Sequence, residues 1–209
     1  MRSTSKPIRR LLIAAAVVVT FSISPVGTSY AIAQDTNQTS VKPLEPVQTR
    51  TERLNGYFLD LKREAEPASA RRIADRIWAE WRTSESATSN QLMEWANEAI
   101  SDKRYFTALD LLDQITVLNP DYAEAWNRRA TLHYIMNNHD KSMADINIVL
   151  QLEPRHFGAL MGMASILSAS GSDEAALETY LKVLEVYPAM REAQKRVGEL
   201  SEELTGDEI

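Results

Sequence analysis

The chain has 209 residues, with 23 lysines and arginines against 29 aspartates and glutamates, three histidines, no cysteine and a formal net charge of −6. This acidic balance disfavours nucleic acid and anionic membrane surfaces as partners, because both need a basic surface. Without cysteine the chain cannot form the disulfides on which many small exported domains depend.

The first 33 residues have the layout of a secretory signal peptide. Basic residues precede an apolar run at 11–23, and small residues stand at both positions that a signal peptidase reads in Ala31-Ile32-Ala33. An uncleaved membrane anchor is the alternative, but the run is short against the roughly 20 residues that span a bilayer. We predict cleavage before Gln34, no membrane insertion afterwards, and a bacterial periplasmic location, with extracellular or organelle-lumen settings as alternatives. Cleavage would remove four basic and no acidic residues, which changes the net charge to −10.

Two segments precede the main body of the chain. Residues 34–50 are rich in Gln, Thr, Asn, Ser and Pro, and this composition predicts a flexible linker. Residues 51–86 contain two stretches with apolar faces at helical spacing, broken by Pro67. They predict an N-terminal helical hairpin.

Residues 87–188 repeat with a period of 34. Pro120, Pro154 and Pro188 end the three units. Residues at equivalent positions agree in size, with large ones 28 residues before each proline and small ones 24 before: Leu92, Trp126 and Leu160, then Ala96, Ala130 and Ala164. Such a period is typical of stacked repeats.

Each unit is predicted to be a pair of helices. In the second unit the helices are expected at 125–136 and 142–152, separated by Asn137-Asn138, which tolerate a left-handed turn. In the third unit Gly171 is expected to end the first helix and Asp173 to cap the second. The turn of the first unit is predicted at Lys103-Arg104.

The pattern resembles the tetratricopeptide repeat over about residues 89–188. The residues that carry the resemblance are Trp126, Ala130, Ala164, Ala176 and Tyr180, with Pro120 and Pro154. The resemblance implies an all-α, right-handed helical solenoid of three helix-turn-helix repeats. Two features depart from the family pattern: Arg129 replaces the usual Leu, and Ile115, Val149 and Val183 replace a usual Ala.

The ends of such a stack need covers, since a bare terminal repeat leaves its apolar face in water. The hairpin at 51–86 is predicted to be a degenerate repeat or cap that covers the exposed end. Residues 189–209 are predicted to form a capping helix, which ends near Leu204, and an acidic tail.

Catalytic, metal and cofactor sites are not predicted. His133, His139 and His156 lack metal-ligand spacing, and the chain has no HExxH, GxSxG or phosphate-binding glycine loop. His133 is expected to be packed and the other two to lie at turns. Four tryptophans could suggest carbohydrate stacking, but they lie in helical apolar patterns that favour core packing: Trp78, Trp81, Trp95 and Trp126.

The resemblance implies a concave groove lined by the first helix of each unit, which would receive a protein partner as an extended peptide or a helix. The predicted groove residues are Met93, Asn97, Glu124, Asn127, Arg128, Thr131, Tyr134, Met161 and Ser165. Asparagine can pair with a ligand's backbone amides, Arg128 with a carboxylate, and methionine with irregular apolar groups. The alternative is that these residues form only a solvated helix face.

Two glycines in the third unit are expected to allow a close approach. Gly158 and Gly162 lie on one face of a helix, where glycine costs roughly 1 kcal/mol against alanine. Packing within the chain, with the capping helix nearby, is favoured over contact with a ligand. Met93 and Gly162 occupy positions where some family members clamp a C-terminal carboxylate, so that ligand is not predicted.

The sequence therefore predicts a non-catalytic periplasmic adaptor or assembly factor that binds part of another protein. A self-associating structural module and an accessory subunit of an envelope enzyme are the alternatives. The oligomeric state stays open.

Overall fold

The computed structural model describes residues 48–206, which form nine α-helices without a strand. The predicted signal peptide and most of the predicted linker lie outside these residues. The helices are α1 Arg50–Arg63, α2 Pro67–Trp81, α3 Ala87–Ser101, α4 Tyr105–Leu118, α5 Ala123–Ile135, α6 His139–Leu152, α7 Phe157–Ala169, α8 Asp173–Val186 and α9 Arg191–Gly206. Among the described residues, no helix combines the length and the apolar character needed to cross a membrane.

The three predicted repeats are the helix pairs α3–α4, α5–α6 and α7–α8, and the predicted all-α solenoid is confirmed. Buried small residues lie where the two helices of a pair meet, including Ala96 and Ala108 in the first pair and Ala164 and Ala176 in the third. The helix α6 begins at His139, three residues before the predicted start. The helix α9 covers the third pair through buried Ala193 and Leu200.

The turns inside the three repeats share one backbone geometry. Lys103, Asn137 and Gly171 are 34 residues apart and all have positive φ, at 60°, 59° and 74°. In each turn the next residue donates its backbone N–H to a carbonyl five residues earlier, for example Asn138 to His133 at 2.8 Å. This left-handed ending satisfies carbonyls that the helix end leaves free. The capping prediction for Asp173 is wrong, because the N-cap is Ser172 and Asp173 is the first residue of α8.

The N-terminal hairpin packs against the third repeat, which differs from the predicted cap at the exposed end of the stack. Its buried residues Leu61, Ile77 and Trp81 belong to one apolar cluster with Phe157 of α7, Tyr187 and α9. The buried residues of α3 and α4 belong to a separate cluster that includes no hairpin residue. The apolar face of α2 is therefore not stacked as a fourth repeat.

The helix α2 runs across the three connections that follow the repeats. Tyr122, in the first connection, donates its hydroxyl to the backbone carbonyl of Arg82 at 2.6 Å, just after α2. Burial raises the pKa of Tyr122 to about 12, so the hydroxyl keeps its proton. In the second connection His156 stacks on Trp81, and after the third repeat Tyr187 faces the start of α2. The hairpin, together with Arg82 just after it, thus contacts the connections that follow the three repeats.

The position of the hairpin leaves Trp95 exposed. The side chain of Trp95 is 50 % exposed, although its helical pattern predicted a core position. The equivalent residues of the next repeats are Arg129 and Met163. Arg129 donates a hydrogen bond to Asp113 of the preceding repeat, and Met163 packs against the cluster that contains Ile146 of the preceding repeat. No described helix covers α3 in this way, so the core prediction for Trp95 is wrong.

Arg129 forms an ion cluster inside the stack. Its guanidinium donates two hydrogen bonds to Asp145 of α6, at 2.9 and 2.7 Å, and others to Asp113 and Thr116 of α4. It also lies over the Trp126 ring, 4.6 Å from the centroid. The hydrogen bonds to Asp145 raise the pKa of Arg129 further. Arg129, which replaces the usual leucine, therefore joins two repeats through its ion pairs.

Candidate peptide-binding groove

Two neighbouring cavities lie along the inner helices of the repeats. The α5–α7 cavity, of about 290 Å³, is lined by five predicted groove residues: Asn127, Thr131, Tyr134, Met161 and Ser165. The α3–α5 cavity, of about 340 Å³, is lined by the other four: Met93, Asn97, Glu124 and Arg128. The predicted set is thus divided between two cavities. The cavities adjoin each other along α5, where Asn127 lines one and Arg128 lines the other.

The α5–α7 cavity has an apolar interior and a polar rim. Gly162 and Ala130 leave space between the helices, and Ile146 forms part of the interior. A Cβ on Gly162 would lie 3.4 Å from Ile146 Cδ1, which is a tight but tolerable contact. Such an opening suits one apolar side chain, with polar groups around it for the partner's backbone.

Several rim groups are already oriented by hydrogen bonds within their helices. Thr131 Oγ1 donates to the Asn127 carbonyl at 2.9 Å, and Ser165 Oγ donates to the Met161 carbonyl at the same distance. Tyr134 is 41 % exposed at the cavity edge and packs edge-on against His139. The rim therefore presents fixed polar groups and one exposed aromatic ring.

The α3–α5 cavity is more polar. Arg82 and Thr83, from the segment after α2, line it together with Glu94 of α3 and Arg128 of α5. Arg128 is half-buried and has its ion-pair partner, Glu124, at 3.5 Å. The cavity can thus bind charged and amide groups, and the hairpin contributes part of its wall.

Three of the predicted groove residues are too buried to make broad contact with a partner. Met93 is 5 % exposed, Glu124 is 2 % exposed and Asn127 is 9 % exposed. Met93 forms the floor beneath the polar groups, whereas the Glu124 carboxylate accepts a hydrogen bond from Asn127 Nδ2 at 2.8 Å. Glu124 therefore orients other groove residues and does not form part of the open surface.

The sequence did not predict the groove contributions of the hairpin or the role of His156. His156 was expected at a turn; it is the buried N-cap of α7, and its Nδ1 accepts the backbone N–H of Ala159 at 3.1 Å. The sequence did contain an indication that His156 is buried. His156 and Tyr122 occupy the same repeat position, two residues after a proline, and both are bulky. The burial of His133 agrees with its predicted packing.

Gly158 and Gly162 have different surroundings. A Cβ on Gly158 would lie 2.7 Å from the Trp78 ring of α2, so this glycine admits the hairpin. Packing within the chain was predicted at this face, but with the capping helix as the neighbour. Within residues 48–206, no group of three histidine, aspartate or glutamate side chains converges in a way that could hold a metal ion.

Comparison with known proteins identifies the family. A TPR repeat-containing protein of Rhizobium etli is 54 % identical over 156 residues, which cover 75 % of this chain and 76 % of that protein. The chain belongs to the tetratricopeptide repeat family. A family model described as tetratricopeptide repeat also matches residues 157–190, which contain α7 and α8.

Solved tetratricopeptide structures share the fold at low sequence identity. The first tetratricopeptide domain of Spaghetti (RPAP3), bound to an HSP90 peptide, aligns with a TM-score of 0.55 and 21 % identity, over 58 % of this chain and 96 % of that one. MamA aligns with a TM-score of 0.53 and 16 % identity, over 66 % and 81 % of the two chains. At these identities the likeness establishes the tetratricopeptide fold alone.

Proposed function

We propose that the protein is a non-catalytic periplasmic adaptor or assembly factor whose groove binds a peptide or helix segment of another protein. The observation that carries this proposal is the pair of adjoining cavities, whose linings include all nine predicted groove residues. The cavities combine an apolar opening with a polar neighbour, as a site for a protein segment requires.

The fold neighbours support a protein partner. The first tetratricopeptide domain of RPAP3 is described bound to an HSP90 peptide, and the TPR2B domain of yeast Sti1 in a complex with pHsp70. The periplasmic part of the proposal rests on the layout of the first 33 residues. A chaperone tail is not the proposed ligand, since Met93 and Gly162 replace the clamp residues.

Site-specific photo-crosslinking tests the groove. A photoreactive amino acid is placed at Thr131, which is exposed on the cavity rim, and as a control at Ala144, which is exposed on the outer side of α6. We expect Thr131 to capture a defined segment of one partner in the native compartment, identified by mass spectrometry, and Ala144 not to capture it. Equal capture at both positions would refute groove binding.

A matched pair of variants gives a second test. Arg128→Glu with Tyr134→Ala should abolish capture of that segment. Lys182→Glu with Leu181→Ala makes the same two types of change on exposed residues of α8 and should leave capture intact. Loss of capture in both variants would point to general damage and not to the groove.

A self-associating module is the second candidate, favoured by exposed apolar side chains on α4. Phe106 and Val117 are 77 % and 80 % exposed. The equivalent residues of the third repeat are acidic, Glu174 and Glu185. Light scattering distinguishes the candidates, because self-association gives a molar mass that rises with concentration and falls in Phe106→Asp.

A further inference from the structure

We propose that the N-terminal hairpin controls the groove: Trp81, acting through His156 and Glu124, holds Asn127 and Arg128 in the positions they need to bind a partner. The proposal rests on the proposed function in that Asn127 and Arg128 are taken as partner-binding residues. Trp81, His156 and Glu124 are then positioning residues, which act through others.

The first link is the contact between Trp81 and His156. Their rings are stacked, with centroids 4.0 Å apart and planes 9° from parallel. Trp78 adds an edge-on contact to the same imidazole at 5.4 Å. Both stacked residues are buried, at 4 % and 0 % exposed. The hairpin therefore fixes the plane of the imidazole ring.

The second link joins His156 to Glu124. Because Nδ1 of His156 accepts the Ala159 N–H, a neutral imidazole carries its proton on Nε2. Nε2 lies 3.4 Å from Glu124 Oε2 but forms no hydrogen bond, so the two groups are in polar contact only. The polar edge of the imidazole thus faces the carboxylate, and the Trp81 ring of the hairpin covers one of its faces.

The third link is the carboxylate itself. Glu124 has three polar neighbours, namely His156, Asn127 Nδ2 at 2.8 Å and Arg128 Nη2 at 3.5 Å. A buried carboxylate is costly unless such groups surround it. If Trp81 and His156 move away, water reaches the carboxylate and Glu124 can adopt other rotamers. Asn127 and Arg128 then lose a common fixed acceptor.

The last link reaches the groove. Asn127 lines the α5–α7 cavity and Arg128 lines the α3–α5 cavity, whereas Trp81 and His156 line neither. One buried carboxylate therefore orients one side chain in each cavity. The hairpin also supplies Arg82 and Thr83 to the α3–α5 cavity, and the Tyr122 hydroxyl fixes Arg82. Docking of the hairpin and the shape of the groove are thus coupled.

The experiment measures the Asn127 side-chain amide by NMR in the 15N-labelled chain. The variant is His156→Asn, which keeps a residue that caps α7 but removes the ring that faces Glu124. We expect solvent exchange of the Asn127 amide protons to become roughly tenfold faster, as for loss of a hydrogen bond to a charged group. Crosslinking from Thr131 should fall by a similar factor.

Two companion variants separate positioning from general destabilisation. Trp81→Phe retains a ring next to His156 and should give an intermediate exchange rate. Val183→Ala removes buried methyl groups from the same apolar cluster and should leave the Asn127 exchange rate unchanged. Trp81→Phe also keeps the test decisive if His156→Asn does not fold.

The outcomes distinguish this inference from the proposed function. Unchanged Asn127 exchange in both His156→Asn and Trp81→Phe would overturn the positioning role, whatever the partner does. An equal change in Val183→Ala would also overturn it. If exchange responds as expected but Thr131 captures no partner in the unmodified chain, the coupling stands and the groove function fails.

Discussion

The Trp78 ring lies against Gly158, where an added Cβ would come within 2.7 Å of the ring atom Cη2. The ring cannot easily yield, because Trp81, His156 and Phe157 surround it with centroids 5.2 to 5.4 Å away. Glycine at this position is therefore a condition for docking the hairpin on the third repeat.

Gly158→Ala should destabilise the protein by about 1–3 kcal/mol, as expected for an overpacked contact. Unfolding in urea, followed by tryptophan fluorescence, measures the change. Gly162→Ala is the matched control on the same helix. Its Cβ would meet Ile146 at 3.4 Å, so the gain in helix propensity should leave stability unchanged or up to about 1 kcal/mol higher. Equal destabilisation by both changes would contradict the role given to Trp78.

The turn of the first repeat should accept glycine with a gain in stability. Lys103 has φ 60°, a conformation that costs a residue with a side chain roughly 1–2 kcal/mol. Because glycine loses more chain entropy on folding, we expect Lys103→Gly to raise the free energy of unfolding by up to about 1 kcal/mol. Gly171→Lys, at the equivalent turn, should lower it. Denaturant titration checks both, and a loss of stability in Lys103→Gly would count against the shared turn geometry.

Replacing Arg129 by the leucine usual in the family should be harmful here. Arg129→Leu leaves Asp145, whose side chain is 6 % exposed, without its charged partner. We expect a loss of about 3 kcal/mol, since removing one partner of a buried pair leaves an uncompensated charge. Adding Asp145→Leu should restore most of this loss. A double variant as unstable as the single one would show that the ion pair is not the cause.

Stability should fall in mild acid because of His133. Burial lowers the pKa of His133, and Arg129 and Lys141 act in the same direction against the opposing effect of Asp145. The folded state therefore takes up the proton less readily than the unfolded state, whose histidine pKa is about 6.5. The stability that His133 contributes in its neutral form is complete above that pH. It is lost as the pH falls from there through the lower pKa of His133 in the folded state. In His133→Phe the slope of unfolding free energy between about pH 6.5 and pH 5 should decrease. An unchanged slope would assign the effect to other groups.

The export proposal predicts a defined N-terminus. N-terminal sequencing of the chain from the periplasmic fraction should begin at Gln34. Ala33→Arg should block cleavage, because the peptidase needs a small residue there, and the precursor should accumulate. Recovery of uncleaved chain from the cytoplasm of unmodified cells would contradict the proposal.

The repeats could be predicted from the sequence because their packing recurs. Ala96, Ala130 and Ala164 are all buried at equivalent positions, so each unit supports the interpretation of the others. The same register placed all nine predicted groove residues on the first helices of the repeats. The register could not predict the burial of Glu124, because that burial depends on His156 and on a hairpin outside the repeat.

The surface on which the hairpin docks could not be predicted from the sequence, for the same reason. The apolar face of α2 was visible, and Ile77 and Trp81 are buried as that face requires. Periodicity indicates which face is buried but not against what. The contact between Trp78 and Gly158 joins residues 80 positions apart with no repeated counterpart, so nothing in the period encodes it.

The path of α2 along the stack has a consequence for how the protein unfolds. A linear repeat array can lose structure from one end, because each unit contacts only its neighbours. Here the earliest described helices rest on the last repeat, so opening α7–α8 also removes the support of α1–α2. Amide hydrogens of α2 and α7 should therefore exchange through one common opening, with similar protection, although they lie far apart in the chain.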